Sequence, residues 1–479
     1  MSGSFIYTRR RFLQHAGAFS ALSLASSMDK LGLAGAAAQA PGYKALVCVF
    51  LFGGNDANNM VLPFTDYLQY NTARPPSTGL NIPQLGAGAM LQINPLNTGG
   101  KIYGLHPAMP ELRLLFNSSA MAVVANTGSL VEPVSRAQYI TSGHGGKKVP
   151  INLFSHSDQQ QQFMSSISQA TLGALTGWGG RLADKVKGMN GQNATPMSMS
   201  FSGPQTFGNG VSVRTLALPT SLAFGFSGDG GSPQQLARSA ARSAIMKTWD
   251  ANQLIAAAQQ TMGVAIDSST LINNISTIPG TDPKITAINA AFSGVTSGLA
   301  NQLKAVAKVI SQSATLSHQR EIFFVSIGGF DTHGGQVASH ASLYPQLSKA
   351  IYAFYQATVG LGIQNQVTTF TMSDFSRTMQ PNGSGTDHAW ATHNFVVGGS
   401  VLGNNFYGTP DLSGSVYPNI YMGNLGVNDS GGQGRWIPTT SIDQYGATFA
   451  KWFGVTPTDI AQVFPNLSRF PASDLGFLG

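Results

Sequence analysis

Tyr43-Lys44-Ala45-Leu46-Val47-Cys48-Val49-Phe50-Leu51-Phe52, followed by Gly53-Gly54-Asn55-Asp56, is the stretch on which the reading of the fold turns. Apart from Lys44 it is unbroken apolar sequence that carries valine and phenylalanine and stops at a glycine pair. A strand wetted on one face alternates polar and apolar residues. An unbroken run belongs to a strand buried on both faces, as in a parallel sheet. Asp56 then falls just past the strand's carboxyl end.

Further strands follow outward from this point. Residues 120–125 and 320–327 read as buried strands, and 367–372 and 394–398 as strands. Helices are predicted at 107–116, 158–166, 178–186, 344–355 and 443–453. In the fourth, Leu343, Leu347, Ile351 and Phe354 lie on one face; in the last, Tyr445, Phe449, Trp452 and Phe453 form a core stripe. Residues 189–230, rich in Gly, Ser, Thr and Pro, read as loops with short strands. Two long helices are predicted at 233–262 and 285–311, split by a Gly/Pro loop at 279–283. Strands alternating with helices define an α/β fold, a doubly wound and mostly parallel sheet with helices on both faces. The expected organisation is one domain over 41–479 with a helical insertion around 233–315.

Composition limits the function. The chain has 479 residues, of which only 10% are charged, with a net charge of +7. No Lys/Arg run follows residue 40, so there is no nucleic-acid footprint. The scarcity of charge also argues against a polyanionic substrate. Cys48 is the one cysteine, which excludes an intramolecular disulfide and a Cys-type zinc site. It reads as a small buried apolar residue. At the start, Thr8-Arg9-Arg10-Arg11-Phe12-Leu13 precedes a weakly apolar stretch at 16–28 and then Ala36-Ala37-Ala38-Gln39-Ala40. This is the order of a signal peptide, and the paired arginines resemble the twin-arginine signal. Residues 1–40 are expected to be a leader, and the apolar stretch is too short and polar for a stable membrane span. The expected partner during export is the twin-arginine translocase, and the expected location is periplasmic or extracellular.

Polar residues gather where strands end, which is where open parallel sheets place their chemistry. One end gives Asn55-Asp56. Another gives Gly328-Gly329-Phe330-Asp331-Thr332-His333, and a third Ser373-Asp374-Phe375-Ser376-Arg377. A loop, Gly385-Thr386-Asp387-His388-Ala389-Trp390-Ala391-Thr392-His393-Asn394, leads into the next strand. Carboxylate oxygen with imidazole nitrogen suits zinc, manganese or iron better than calcium or magnesium. The competing reading is a structural polar network of Asp–His pairs.

These segments resemble a large family of secreted bacterial proteins, domain of unknown function 1501. The marks are the twin-arginine start, Gly53-Gly54-Asn55-Asp56, Ser155-His156 near a helix start, the 328–334 and 373–378 segments, the 385–394 loop and Asp443-Gln444-Tyr445. That family is similar to the alkaline phosphatase superfamily, which includes sulfatases. The resemblance implies an alkaline phosphatase-like core and a site for one or two divalent ions, zinc or manganese. It implies Asp56 as a ligand of one metal, Asp331 and His333 as ligands of another, and Asp374 at a strand end. It also implies His393 as a late ligand, with Asp387 and His388 completing the set. Asp331 and His333 stand one residue apart where the superfamily often has three. Phe375 follows Asp374 where the superfamily usually has histidine.

A phosphatase-like reaction needs a hydroxyl near a helix N-terminus. Ser155 is the candidate, Ser157 the next and Thr127 a third; the alternative is that Ser157 or Asp158 caps the helix. His156 could be ligand, acid or hydrogen-bonding group. Arg377 could hold an ester oxyanion bidentately or form an ion pair. The expected function is a secreted metal-dependent hydrolase of phosphate or sulfate esters, on a small molecule or a glycan. The alternative is an exported, non-catalytic binding or assembly protein that keeps the fold.

Overall fold

The computed structural model describes residues 42–479 apart from 170–174, 192–194, 227, 229, 247, 249–251 and 424–426. The predicted leader at 1–40 lies outside the described residues. Strands in chain order are β1 (Lys44–Leu51), β2 (Val61–Pro63), β3 (Leu91–Ile93), β4 (Tyr103–Leu105), β5 (Met121–Gly128), β6 (Ser198–Ser200), β7 (Leu216–Ala217), β8 (Arg320–Ile327), β9 (Val367–Ser373), β10 (Arg377–Pro381), β11 (Thr386–His388), β12 (Thr392–Val397), β13 (Phe406–Tyr407) and β14 (Thr440–Ser441).

The unbroken apolar run at 44–51 has the environment its sequence demands. β1 lies between β8 and β9 and is parallel to both, with Val47 opposite Phe323 on one side and Thr369 on the other. The main sheet runs β13-β5-β12-β9-β1-β8-β6-β7, with β14 also paired to β5. The sheet is mostly parallel; β12 alone among these strands runs against its neighbours β5 and β9. Side chains alternate along β1 between two cores. Ala45, Val47, Val49 and Leu51 meet the helices Gly298–Ile310 and Gln336–Gly360. Leu46, Cys48 and Phe50 meet the helices Trp178–Val186 and Ile442–Phe453. Each fully buried Val, Leu or Phe contributes about 1.5–3 kcal/mol of transfer free energy, so a charge at Val47 would break the sheet at its centre.

Local signals fix the helix that covers the second face. Ser441 and Gln444 form a reciprocal capping box at the start of Ile442–Phe453, and Gly454 ends it in the left-handed region at φ +97°. Elsewhere the boundaries differ from expectation. The predicted 233–262 helix is two, Pro233–Met246 and Gln253–Ser276, the second capped by Asn252. The predicted 285–311 helix is also two, Pro283–Ala291 and Gly298–Ile310. Gly294 at φ +73° breaks the run and Ser297 caps the restart. The predicted 344–355 helix extends over Gln336–Gly360, with Pro345 inside it. Proline resembles a boundary in sequence, yet here tertiary packing carries the helix across it. The 385–394 loop contains a strand: β11 pairs antiparallel with β10, which sets Arg377 directly opposite His388. A small antiparallel sheet, β2-β4-β3, stands outside the strands expected from sequence. No helix among the described residues is long and apolar enough to cross a membrane.

Candidate functional site

The loops after β1, β8 and β9 leave the sheet at one edge, and the β10–β11 hairpin folds over them. They meet backbone to backbone. A Cβ on Gly53, at φ +112°, would stand 2.4 Å from the Asp331 nitrogen, and one on Gly385 would stand 2.3 Å from the His333 carbonyl carbon. Glycine is needed at both points because any side chain would push the loops apart.

Asp331 sits at the centre of what these loops bring together. Its Oδ1 lies 3.4 Å from Nε2 of His156, 3.3 Å from Nε2 of His333 and 3.5 Å from Nε2 of His388. The ligand atoms of His156, Asp331 and His388 all fall within 4.8 Å of one another. The opposite ring nitrogens are spoken for. His156 Nδ1 is 2.7 Å from Asp374 Oδ2, His388 Nδ1 is 2.7 Å from the Phe154 carbonyl, and His333 Nδ1 is 3.3 Å from Asp387 Oδ1. Each partner is an acceptor, so each Nδ1 carries the proton and donates it. In the neutral rings every Nε2 then presents a lone pair inward. His333 Nε2 and His388 Nε2 are only 2.8 Å apart. Two lone pairs at that distance repel unless a proton or a cation lies between them. His156 Nε2 is buried and has no hydrogen-bond partner.

This donor set fits a transition metal. Zinc–nitrogen bonds of about 2.0–2.1 Å set neighbouring ligand nitrogens roughly 3 Å apart, close to the spacing found. Orientation of each imidazole through its other nitrogen is the usual second layer of such a site. That layer is itself braced: Asp374 also accepts from Gln160 Nε2 at 2.9 Å and from the Gly53 N–H, and Asp387 accepts from Asn382 Nδ2 at 2.6 Å. Phe154, whose carbonyl receives His388, is held at φ +71°, a strained conformation for a bulky residue.

The charges around the cluster are unequal. Partial burial pushes the Asp331 carboxyl up. Its hydrogen bond and attraction to Arg377, with His156 and His333 beside it, outweigh this and hold it down at about 2. The hydrogen bond to Asp374 raises His156, against burial. Burial lowers His388, aided by the charge of Arg377 and by the other two imidazoles, while the Phe154 carbonyl opposes. Arg377 is itself buried and committed. Its Nε donates to the Gly54 carbonyl at 2.9 Å, Nη1 to Thr386 O at 3.1 Å, and Nη2 to Gly53 O and Asp331.

The remaining sequence candidates lie elsewhere. Asp56 is fully buried in a two-pronged pair with Arg74, at 2.7 and 3.1 Å, and accepts from Gln336 at 2.6 Å. Burial pushes its carboxyl up, but Arg74 more than reverses this and lowers it. Its oxygens serve a structural ion pair, not the imidazole cluster. His393, on the reversed strand, accepts from the Asn126 N–H at 3.1 Å and packs on the Tyr417 ring at 5.0 Å. Burial drives it down to about 3, so it is neutral. Ser155 precedes the helix His156–Ser165 without capping it through its side chain. Its Oγ donates to Asp158 Oδ2 at 2.6 Å and lies 3.2 Å from Ser157 Oγ. Thr127 is buried within β5, its hydroxyl directed at the Ala125 carbonyl. Asp374 and Asp387 orient imidazoles and do not face the centre themselves. Sequence reading missed Gln160 and the Phe154 carbonyl. Gln160 lies four residues after His156, on the same helix face; a backbone carbonyl leaves no trace in sequence.

Fold and site together define a mixed α/β protein that gathers three imidazoles and a carboxylate at the carboxyl edge of a largely parallel sheet. The chain belongs to the family described as Protein of unknown function (DUF1501), whose model matches residues 43–419. No curated protein matches it. Among solved structures it is similar to Ps i-CgsB in complex with k-i-k-neocarrahexaose, at 8% identity and a TM-score of 0.32, covering 87% of this chain and 72% of that one.

Proposed function

We propose that the protein is a metal-dependent hydrolase of phosphate or sulfate esters, working at a single divalent ion held by His156, His333, His388 and Asp331. The observation that carries this is the convergence of three Nε2 atoms, each with its Nδ1 tied to an acceptor, on one aspartate oxygen. Three nitrogens and one carboxylate suit zinc first and manganese second. When bound, the ion would supply the positive charge that polarises an ester and acidifies water.

The chain's own residues then have distinct tasks. Asp374, Asp387 and the Phe154 carbonyl fix ring orientation and turn the Nε2 atoms inward. Arg377 draws Asp331 to one rotamer and holds it ionised. Ser155 stands one residue before His156 and is the candidate nucleophile; Asp158 is placed to take its proton. Asp331 and His333 are 50% and 47% exposed, so the centre is open enough for an ester on the end of a glycan as well as on a small molecule. The sheet then serves as an alkaline phosphatase-like core, supported by parallel strands whose carboxyl ends carry the cluster. Residues 1–40 then act as a twin-arginine leader for export to the periplasm or beyond, supported by Arg9-Arg10-Arg11-Phe12-Leu13.

The test is metal content by mass spectrometry after equilibration with zinc or manganese, with turnover of aryl phosphates and aryl sulfates. About one ion per chain is expected, lost in Asp331→Ala and His388→Ala together with turnover. A folded protein that takes up no ion, and whose turnover is indifferent to Asp331→Ala, would sink the proposal and leave the exported binding or assembly role.

A further inference from the structure

Arg377 is the arginine that sequence offered for gripping an oxyanion, but its donors are spent on three carbonyls and Asp331. A second arginine stands beside the same cluster with its fork open. Arg435 Nε donates to the His388 carbonyl at 2.9 Å, and its guanidinium lies over the Phe154 ring, 5.2 Å from the centroid. Phe154 is the residue whose carbonyl receives His388 Nδ1. Arg435 thus holds the His388 backbone and the Phe154 ring, while the Phe154 carbonyl holds the imidazole of His388.

The backbone of Arg435 is held as firmly as its side chain. Its N–H donates to Asp429 Oδ1 at 3.2 Å, and its carbonyl accepts from the Ser430 N–H at 3.0 Å and from Ser430 Oγ at 2.9 Å. Asp429 is fully buried and also accepts from the Gly423, Gly431 and Gly432 N–H groups, so it clamps the whole loop. Only the two terminal nitrogens of Arg435 lack a hydrogen-bond or ion-pair partner among the described residues, and the residue is half-buried. A guanidinium stacked and pinned by Nε has lost its rotamer freedom in advance. Its two terminal nitrogens match two oxygens of a phosphate or sulfate group.

We propose that Arg435 seats the tetrahedral oxyanion of the substrate beside the histidine cluster and is the residue that selects an anionic ester over a neutral one. This rests on the hydrolase reading for the identity of the ligand as substrate; the seat itself is open to direct measurement. Arg435 lies beyond the matched family span of 43–419.

The experiment is calorimetric titration of the full chain with inorganic phosphate and, separately, inorganic sulfate, in zinc-loaded and chelator-treated protein. Arg435→Gln is expected to weaken at least one of the two ions tenfold or more in both states, with zinc uptake and melting temperature unchanged. The ion that loses more names the ester. Arg435→Lys, which keeps the charge without the fork, is expected to fall between the two and serves if the glutamine variant does not fold. Wild-type affinity for both ions in Arg435→Gln, or no affinity for either in the parent, overturns the seat. Failure of the hydrolase reading shows separately, as absence of zinc uptake and turnover in a protein that still binds oxyanion through Arg435.

Discussion

The three imidazoles of the cluster are not held equally. His156 and His388 have close partners at 2.7 Å, whereas His333 meets Asp387 at 3.3 Å and is more exposed. Loss of an orienting partner typically costs 10–100-fold in metal affinity. Asp374→Asn is therefore expected to weaken zinc binding by about that factor without abolishing it, read by competition with a chromogenic chelator; unchanged affinity would remove Asp374 from the supporting layer. Asp56 separates the two roles an aspartate can have here. Asp56→Ala leaves Arg74 buried and unpaired, so a loss of about 3–5 kcal/mol in unfolding free energy is expected, with zinc stoichiometry intact. Sequence made Asp331, His333 and His388 legible because they follow strand ends and glycines. It could not separate ligand from orienting group, since that depends on which oxygen or nitrogen faces inward. Nor did it show that Arg74 lies against Asp56, because no periodicity links them.

Among elements, the long strands of the main sheet were readable, and the short strands and the pairing were not. β1, β8 and β9 are buried on both faces, which the apolar run of β1 records and the threonines of β9 do not. β12 is apolar only in its last half, Phe395-Val396-Val397, and runs the other way, a direction that composition does not record. β11 lies inside the stretch that sequence reads as loop, and β10 carries no strand signal, since three to five residues with one partner strand hold too little pattern to register. The glycine pair after β1 marks the strand's end in sequence, and its strict duty is close approach: Gly53→Ala would drive a Cβ into the Asp331 backbone. Loss of zinc binding is expected, with a drop of about 2 kcal/mol or more in stability, measured by urea unfolding alongside metal uptake. A variant with native stability and metal content would show that the loops can part.

For the molecule as a whole, pH dependence of stability has a source far from the cluster. Burial of Asp443, in the first turn of Ile442–Phe453, pushes its carboxyl up to about 7. One oxygen accepts from the Asn466 N–H at 3.0 Å and the other has no partner. A raised acid binds its proton in the folded state where the unfolded chain has released it. Its contribution is therefore most favourable at low pH and declines as pH climbs from about 4 through 7. Asp443→Asn should abolish this slope: its stability relative to the parent should improve between pH 5 and pH 8 by an amount on the order of a few kcal/mol. Parallel pH profiles for parent and variant would count against a buried, protonated Asp443.

The placing of β1 has a kinetic side. It is made early, yet its lateral partners are Arg320–Ile327 and Val367–Ser373. A ribosome must deliver most of the polypeptide before the central hydrogen bonds can close, and until then a sticky, unpaired segment waits near the beginning of the chain. Chains ending before residue 366 should accordingly aggregate and not assemble a shortened sheet, while a nick in the exposed 233–246 helix should be tolerated.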